Sequence, residues 1–401
     1  MKKSLFLSLI LFFIPFKVQA HGTEEEHAQE VANNYWGYGL IVSLLMLVIF
    51  LVLFLFTKQK AKKVSLKHKA NREKHKLWMK RANTYKWMMY GSTFITLLFL
   101  ILTNVLNKPG YIANELDGIT PNDGSVDTEE NITFTHIHGL GYSNDGEEVY
   151  VPAHDGLRVY KNGQWKIHSV GERHDYMGFS MFKDGFYSSG HPAARSKLAN
   201  PLGIIRSTDM GKNIETLDLY REVDFHGMTV GYETEDIYVF NPSKNSRMDQ
   251  PGFYYSTDQT ETWNQASLQG MEGQATALAA HPTESGIVAI GTNQGLYLSR
   301  NYGNHFEKLT ISDAVTAVSF DFQNHILVGT EKGQLIRLNV STNKGNKLNI
   351  PDLSGDVITY VQQNPSNSEE FVFATRNKNI YVSMDNGETW KQSVDEGVAL
   401  Q

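Results

Sequence analysis

The sequence contains no cysteine and carries only a small imbalance of charge. Its 401 residues include 37 Lys and Arg against 43 Asp and Glu, which gives a formal net charge of −6. A chain without cysteine can form no disulfide, no Cys-based zinc site and no thiol nucleophile. Nucleic-acid-binding domains are usually basic, so the charge argues against a nucleic-acid partner. The length allows more than one folding unit.

The N-terminal segment has the pattern of a secretory signal peptide over residues 1–20. Lysines precede an apolar run over 5–16, and Val18-Gln19-Ala20 resembles a cleavage site. The alternative is an uncleaved first membrane helix. Cleavage would leave His21 at the start of an acidic extracytoplasmic segment, residues 21–35. A terminal histidine presents an amine and an imidazole together, which can chelate copper; otherwise the segment is a solvated acidic tail.

Two stretches without charged residues follow, at 36–57 and 87–107. Each exceeds the roughly 20 residues that a helix needs to cross the hydrocarbon core of a membrane. The loop between them, 58–86, is rich in lysine and arginine, and Glu73 is its only acidic residue. The positive-inside rule places such a loop in the cytoplasm. The sequence therefore predicts an α-helical hairpin of two transmembrane helices in a bacterial cell membrane, a linker at 108–131 and an extracytoplasmic C-terminal domain.

The segment Ser383–Trp390 reads S-x-D-x-G-x-T-W, the pattern of an Asp-box turn. In such a turn the carboxylate of Asp385 can accept hydrogen bonds from backbone N–H groups, and Gly387 takes a positive φ at little steric cost. Trp390 would anchor the returning strand in the core. Weaker copies of the pattern begin at Ser341, Ser299, Ser256 and Ser207, and the last two have Asp258 and Asp209 at the Asp position.

The copies recur every 42 to 49 residues, and each interval holds several short strand-like runs. A period of about 40–45 residues with four strands per unit is typical of propeller blades. The predicted fold class is an all-β six-bladed β-propeller over 132–401. The predicted blades are 132–171, 172–221, 222–271, 272–311, 312–353 and 354–397.

Polar side chains are concentrated on the inner strands of the first three predicted blades. Residues two apart on a strand share a face, so the members of each of three pairs should project together. Because inner strands surround the axial channel of a propeller, the three pairs should converge there. The pairs are His136 with His138, Asp175 with Met177, and Asp224 with His226.

Further histidines support the same location. His154 and His191 each follow the second strand of a predicted blade, in loops on the face where the inner strands begin. His174 and Asp155 should lie on that face too. Imidazole and carboxylate favour divalent transition metals, and a thioether shifts the preference toward copper. The sequence predicts a copper or zinc site with ligands drawn from His136, His138, His154, His191, His226 and Met177.

The alternative is that these histidines are structural. Four others, in predicted turns or outer strands, are interpreted as structural from the start: His168, His281, His305 and His325.

The Asp-box copies and the blade period resemble the propeller superfamily that includes sialidases, sortilin-type propellers and photosystem assembly factors. H-I-H-G-L-G at 136–141, S-G-H-P at 189–192 and D-F-H at 224–226 are similar to motifs of a bacterial family of secreted propellers. That family is often labelled glycosylhydrolase or exo-alpha-sialidase, and the resemblance covers 135–397. The chain lacks the early R-I-P motif and the central arginines of sialidases, so sialidase activity is not expected.

Three functions remain open from the sequence. The first is a membrane-anchored extracytoplasmic propeller that binds a transition metal, for handling or for metal-assisted chemistry. The second is a glycosidase with Asp175 and Asp224 as paired carboxylates, about 5–5.5 Å apart for retention or roughly 6.5–9.5 Å apart for inversion. The third is a non-catalytic scaffold that binds a glycan or a protein partner. Propellers host all three, so the fold does not decide among them.

Overall fold

The structure is a computed structural model that describes residue 43 and residues 46–64, 69–106 and 132–400. The predicted signal peptide, the acidic segment with His21 and the linker at 108–131 lie outside the described residues. The chain divides into two compact units, one helical and one built of β-sheets.

The helical unit contains two helices joined by a short connection. The first, α1, includes residues 46–62, and the second, α2, spans Lys69–Leu106. Among the described residues, no helix has an apolar stretch long enough to cross a membrane. The two predicted transmembrane helices are therefore not supported by the structure.

The β unit consists of six antiparallel sheets, each built from strands that follow one another along the chain. The first three sheets are β1 Gly141–Tyr142, β2 Val149–Ala153, β3 Gly156–Lys161 and β4 Gln164–Ile167; β5 Asp175–Phe182, β6 Gly185–His191, β7 Ile204–Ser207 and β8 Glu215–Asp218; and β9 Met228–Val230, β10 Ile237–Asn241, β11 Gly252–Ser256 and β12 Asn264–Ala266.

The last three sheets have the same order, and the sixth has one extra strand. They are β13 Ala275–Ala280, β14 Val288–Thr292, β15 Gly295–Ser299 and β16 Phe306–Lys308; β17 Val315–Phe320, β18 His325–Thr330, β19 Leu335–Asn339 and β20 Lys344–Lys347; and β21 Ile358–Gln363, β22 Phe371–Thr375, β23 Ile380–Ser383, β24 Lys391–Asp395 and β25 Val398–Ala399.

The sheets are arranged in a closed ring. Their first strands contact one another in chain order, from β1 through β5, β9, β13 and β17 to β21, and β21 contacts β1. Thr133 pairs with Val398 of β25, and Phe134 N donates a hydrogen bond to Gly397 O (2.7 Å). The two ends of the β unit are thereby joined. This radial arrangement is a six-bladed β-propeller, so the predicted fold is confirmed.

Apolar side chains fill the spaces between neighbouring blades. Each buried cluster draws its members from two adjacent sheets; Phe134 and Trp165 of the first blade, for example, pack with Val372 and Val394 of the last. The second strands β2, β14 and β22 are buried at every position, because neighbouring blades cover both of their faces. Burial of this apolar surface holds blade against blade.

Four of the five predicted Asp-box turns share one set of hydrogen bonds. In the last blade the Ser383 hydroxyl donates to Asp385 Oδ1 (2.8 Å) and accepts from Gly387 N (2.9 Å). Thr389 N donates to Asp385 Oδ1 (2.9 Å), and Trp390 packs against the core between the last two blades. Equivalent bonds involve Ser207 with Asp209, Ser256 with Asp258 and Ser299 with Asn301.

The turn predicted at Ser341 is built differently. Strand β19 ends at Asn339, which takes the place that serine has in the other four turns. The side-chain oxygen of Asn339 accepts a hydrogen bond from Thr342 N (2.9 Å), whereas the Ser341 hydroxyl accepts one from Asn324 Nδ2 (2.9 Å). The regular spacing therefore misplaces this copy by two residues.

Ser383→Ala should lower the free energy of unfolding by about 1–2 kcal/mol, because the buried N–H of Gly387 loses its acceptor. Ser341→Ala is the matched control, and it should change this free energy by less than about 0.5 kcal/mol because the side chain is exposed. Urea unfolding of both variants and the parent chain measures the difference. Equal losses in the two variants would contradict the turn geometry.

Candidate metal centre

Three side chains from the first two blades meet near the start of the inner strands. His138 precedes β1, His154 connects β2 to β3, and Asp175 is the first residue of β5. One nitrogen or oxygen from each of the three lies within 4.8 Å of the other two. His154 Nδ1 is 2.9 Å from Asp175 Oδ2, and His138 Nε2 is 3.6 Å from Asp175 Oδ1. One carboxylate thus faces two imidazoles.

The carboxylate of Asp175 is shielded from water. The side chains of Asp175 and His138 are each 8% exposed, whereas that of His154 is 57% exposed. Among the described residues, neither oxygen of Asp175 accepts a well-directed hydrogen bond, although His154 Nδ1 is close. A buried carboxylate is costly unless hydrogen bonds or a cation compensate it. The donor set therefore fits a divalent metal ion, with His154 on the solvent side.

A third imidazole packs against this set. The ring of His136 is stacked on that of His138 with centroids 5.7 Å apart, and its centroid lies 5.5 Å from that of His154. His136 and His138 are two residues apart on an extended segment, which places them on one face. The structure thus brings together three of the five histidines predicted as ligands.

Two glycines allow the chain to close up around Asp175. Gly190 has φ of 113°, and a Cβ added there would come within 2.0 Å of the carbonyl oxygen of Asp175. Gly178 has φ of 55°, and a Cβ there would come within 2.5 Å of the carbonyl oxygen of Phe225. A side chain at either position would push β5 away from its neighbours.

The other two predicted histidine ligands form a separate cluster around Asp224. His226 Nε2 is 2.9 Å and His191 Nε2 is 3.2 Å from the same oxygen, Asp224 Oδ2. The other ring nitrogen of His191, Nδ1, lies 2.7 Å from the side-chain oxygen of Asn200. A ring with an acceptor at both nitrogens is an imidazolium that donates twice. The structure therefore places His191 and His226 in a charge pair with Asp224, apart from the set at Asp175.

Pairing shifts the pKa values of both partners. The hydrogen bond to Asp224 is the largest cause that raises the pKa of His191 from 6.5 to about 9, and partial burial opposes it. Burial alone would raise the pKa of Asp224, but hydrogen bonds from His191 and His226 outweigh burial and hold this pKa well below its usual range. At neutral pH Asp224 is therefore ionised and His191 is protonated.

The two shifts define a window of stabilisation. Folding raises the pKa of His191, so its contribution to stability is complete below its ordinary pKa of 6.5 and is lost as the pH rises through about 9. Folding lowers the pKa of Asp224, so its contribution is present above its ordinary value of 3.8 and is lost in stronger acid.

The two clusters adjoin across β5 and β6. Asp175 is directly opposite His191 in the strand register, and its charge also helps to raise the pKa of His191. Ser189 Oγ accepts a hydrogen bond from Phe225 N (2.9 Å), which ties the segment of Asp224 to β6. Sequence reasoning missed Ser189 and Asn200. Ser189 lies within the S-G-H-P motif, but no pattern marked Asn200.

His174 directly precedes β5, and Met177 lies within this strand. Both side chains are buried, on different faces of the strand. His174 Nδ1 accepts a hydrogen bond from Ala193 N (3.0 Å), and burial lowers the pKa of its imidazole. Its ring is therefore a neutral support for the loop after β6, away from Asp175. Met177 follows Asp175 by two residues before the bulge in β5, so the two share a face.

Asp155, also predicted for this face, is paired with an arginine. Arg158 donates a hydrogen bond from Nη2 to Asp155 Oδ1 (2.6 Å). The histidines interpreted as structural have local partners or lie elsewhere on the propeller: His168 contacts Met210 O, His281 accepts from Glu284 N, His325 pairs with Asp321, and His305 is exposed beside the turn at Asn301.

The surroundings of Asp224 bear on the role it could take in the glycosidase hypothesis. Asp175 and Asp224 are each held among histidines. The general acid of a glycosidase needs a raised pKa, whereas the pKa of Asp224 is lowered. Asp224 therefore does not fit the role of the general acid.

Comparisons with known proteins yield structural neighbours only. No family model and no curated protein matches the sequence. A GH74 enzyme of Niastella koreensis is similar at 13% identity and a TM-score of 0.46, over 65% of this chain and 46% of that chain. YCF48 bound to a D1 peptide and YCF48 from Cyanidioschyzon merolae are each similar at 15% identity and a TM-score of 0.41.

These alignments cover 67% and 66% of this chain, and 85% and 87% of the two YCF48 chains. The chain spans less than half of the GH74 enzyme, at 46%. At such identities and scores, the likeness carries no argument about what the chain binds or does.

The histidine NMR titration of the full-length protein should show a pKa of about 9 for His191. Asp224→Asn should bring this pKa back toward the ordinary value near 6.5, because the amide carries no charge. His281, whose pKa is lowered by burial outside both clusters, should titrate identically in the two proteins. A His191 resonance that titrates near 6.5 in the parent protein would contradict the charge pair.

Proposed function

We propose that the propeller binds a divalent transition metal ion through His138, His154 and Asp175. The observation that carries this proposal is a buried carboxylate with two imidazole nitrogens beside it, all three ligand atoms being within 4.8 Å of one another. Removing a carboxylate from water costs several kcal/mol unless a cation or hydrogen bonds compensate. A metal ion would supply that compensation.

Other buried aspartates in the described residues differ from Asp175 because their carboxylates accept hydrogen bonds from the protein. Asp321 receives hydrogen bonds from Arg337 Nε (2.8 Å) and from its own loop. Asp236 accepts hydrogen bonds from Ser285 Oγ and Gly286 N (2.6 and 3.0 Å). Each of these carboxylates is satisfied by the protein. Within the described part of the chain, Asp175 is the buried aspartate with both oxygens lacking such a bond.

The donor set narrows the choice of metal. Imidazole with carboxylate suits zinc, copper, nickel and iron, and the absence of cysteine leaves no thiolate ligand. Met177 shares the strand face of Asp175, and a thioether would favour copper. His136, packed on both histidines of the set, is the further imidazole that could join them. We propose copper or zinc as the ion.

The open side of the set suggests what the metal would do. Catalytic zinc sites use three protein ligands and leave a position for water or substrate. His154 is 57% exposed, so a ligand could approach the ion from that side. The protonated His191 opposite Asp175 adds positive charge nearby, which would favour an anionic ligand. Such a centre can hold a ligand or activate a water molecule.

The full-length protein, dialysed against zinc or copper and then against metal-free buffer, should retain one ion per chain by elemental analysis. Losing a residue that only hydrogen-bonds to a metal ligand lowers metal affinity roughly 10–100-fold. His138→Ala and Asp175→Asn each remove a ligand itself, so each should weaken metal binding by at least that factor. His305→Ala, which removes an exposed imidazole elsewhere, is the matched control and should bind as the parent does.

Two outcomes would contradict the metal proposal. One is a folded parent protein that retains no ion after dialysis. The other is equal loss of binding in all three variants, which would indicate adventitious binding to surface histidines.

We also propose that the propeller is attached to a membrane and faces the extracytoplasmic side. The support comes from the sequence: the signal pattern at 1–20, the uncharged stretches 36–57 and 87–107, and the basic loop 58–86. The protein should sediment with the membrane fraction of cells. Protease added outside the cytoplasmic membrane should digest the propeller. Recovery of the protein in the soluble fraction would contradict the attachment. A propeller that is fully protected from the protease would contradict its extracytoplasmic location.

A further inference from the structure

The helical unit buries polar side chains and exposes apolar ones. Ser43, Thr57, Ser92 and Thr96 are 3–6% exposed. Ser92 Oγ donates a hydrogen bond to Ser43 O (2.9 Å), and Thr96 Oγ1 donates to Ser43 Oγ (3.1 Å). In contrast, large apolar side chains of α1 are 42–58% exposed: Met46, Val48, Ile49, Leu51, Val52, Leu55 and Phe56. This is the reverse of the pattern in a domain that is covered by water.

The two helices run antiparallel. Ser43 contacts Ser92 near one end, and His75 Nδ1 lies 3.0 Å from Ala61 O near the other. Between these contacts, the rings of Phe56 and Trp78 meet edge to face with centroids 6.5 Å apart. The contacts place residues 46–60 of α1 beside residues 76–91 of α2. The exposed apolar side chains of α1 all lie within this section.

The same section is basic and contains no acidic residue. Four basic groups lie over aromatic rings at 5.3–5.6 Å from the ring centroids: Lys58 over Phe54, Lys60 over Phe56, Arg81 over Trp78 and Lys86 over Tyr90. Long basic side chains can keep their charge in a polar layer while their stems and the adjoining rings cover apolar surface. The basic residues of the section are Lys58, Lys60, Lys76, Lys80, Arg81 and Lys86.

We propose that this section of the hairpin docks on a membrane surface that contains anionic lipid. The exposed side chains of α1 would enter the boundary of the acyl chains, and the basic side chains would contact lipid phosphates. Nucleic acid would match the charge but would leave the apolar surface of α1 uncovered. The inference deepens the proposed membrane attachment, on which it rests, by naming the class of lipid.

Flotation of the purified full-length protein with vesicles tests the proposal. Vesicles of phosphatidylcholine with phosphatidylglycerol should recover more protein than phosphatidylcholine alone, and added salt should reduce the difference. The triple variant Lys58→Gln, Lys80→Gln, Arg81→Gln should lose roughly 100-fold in partitioning to anionic vesicles, at about fivefold for each basic residue. Circular dichroism verifies that the variant keeps its helices.

The matched control removes the same charge from the propeller. Lys344→Gln, Lys347→Gln, Lys391→Gln neutralises three exposed lysines of β20 and β24, and it should bind as the parent does. Equal flotation of the parent with both vesicle types would overturn the lipid class while leaving attachment intact. No flotation with either type would overturn attachment as well. Equal loss in both triple variants, or preferential binding of duplex DNA in competition with the vesicles, would also overturn the proposal.

Discussion

A carboxylate removed from water has to be matched by positive charge or by hydrogen-bond donors, and Asp175 imposes this requirement at the start of the second blade. Its side chain is 8% exposed, and the imidazoles of His138 and His154 face it from the first blade. Asp224, one blade further on, meets the same requirement with a protonated His191. Among the described residues neither oxygen of Asp175 accepts a well-directed hydrogen bond, which is why a metal ion is the partner that we propose.

Ring closure makes this arrangement possible. The histidines at 136 and 138 precede the first strand of the β unit and follow directly on Thr133 and Phe134, which pair with the last strands of the chain. Core clusters between all neighbouring blades then fix each sheet against the next. The set at Asp175 therefore depends on contacts between residues that are far apart in sequence.

Most of the fold could be predicted from the regular repeat of the turn motif along the sequence. The spacing of the Ser-x-Asp turns and the apolar second strands predicts six blades, because each blade repeats one local pattern. Strand alternation was enough to place His136 beside His138. The alternation of side chains along a strand does not show which carboxylate each imidazole contacts. The division of the histidines between Asp175 and Asp224 was therefore not predicted. Asn200 was missed because it lies in a loop without repeat or motif.

The same limit explains one misplaced turn. Spacing alone placed a turn at Ser341, whereas the hydrogen bonds of Asn339 fix the turn two residues earlier. Counting uncharged residues predicted two membrane-crossing helices; among the described residues no helix is apolar enough to cross, so the crossing stays a prediction. Which residues face each other between two helices depends on tertiary contacts, and a single sequence does not reveal them.

The most direct test of the central claim is anomalous diffraction from crystals of the protein grown with zinc or copper. We expect a peak between His138, His154 and Asp175, about 2.0–2.2 Å from the nitrogen and oxygen ligands if the ion is zinc. A well-ordered structure with these three side chains in place and anomalous peaks only at other positions would contradict it.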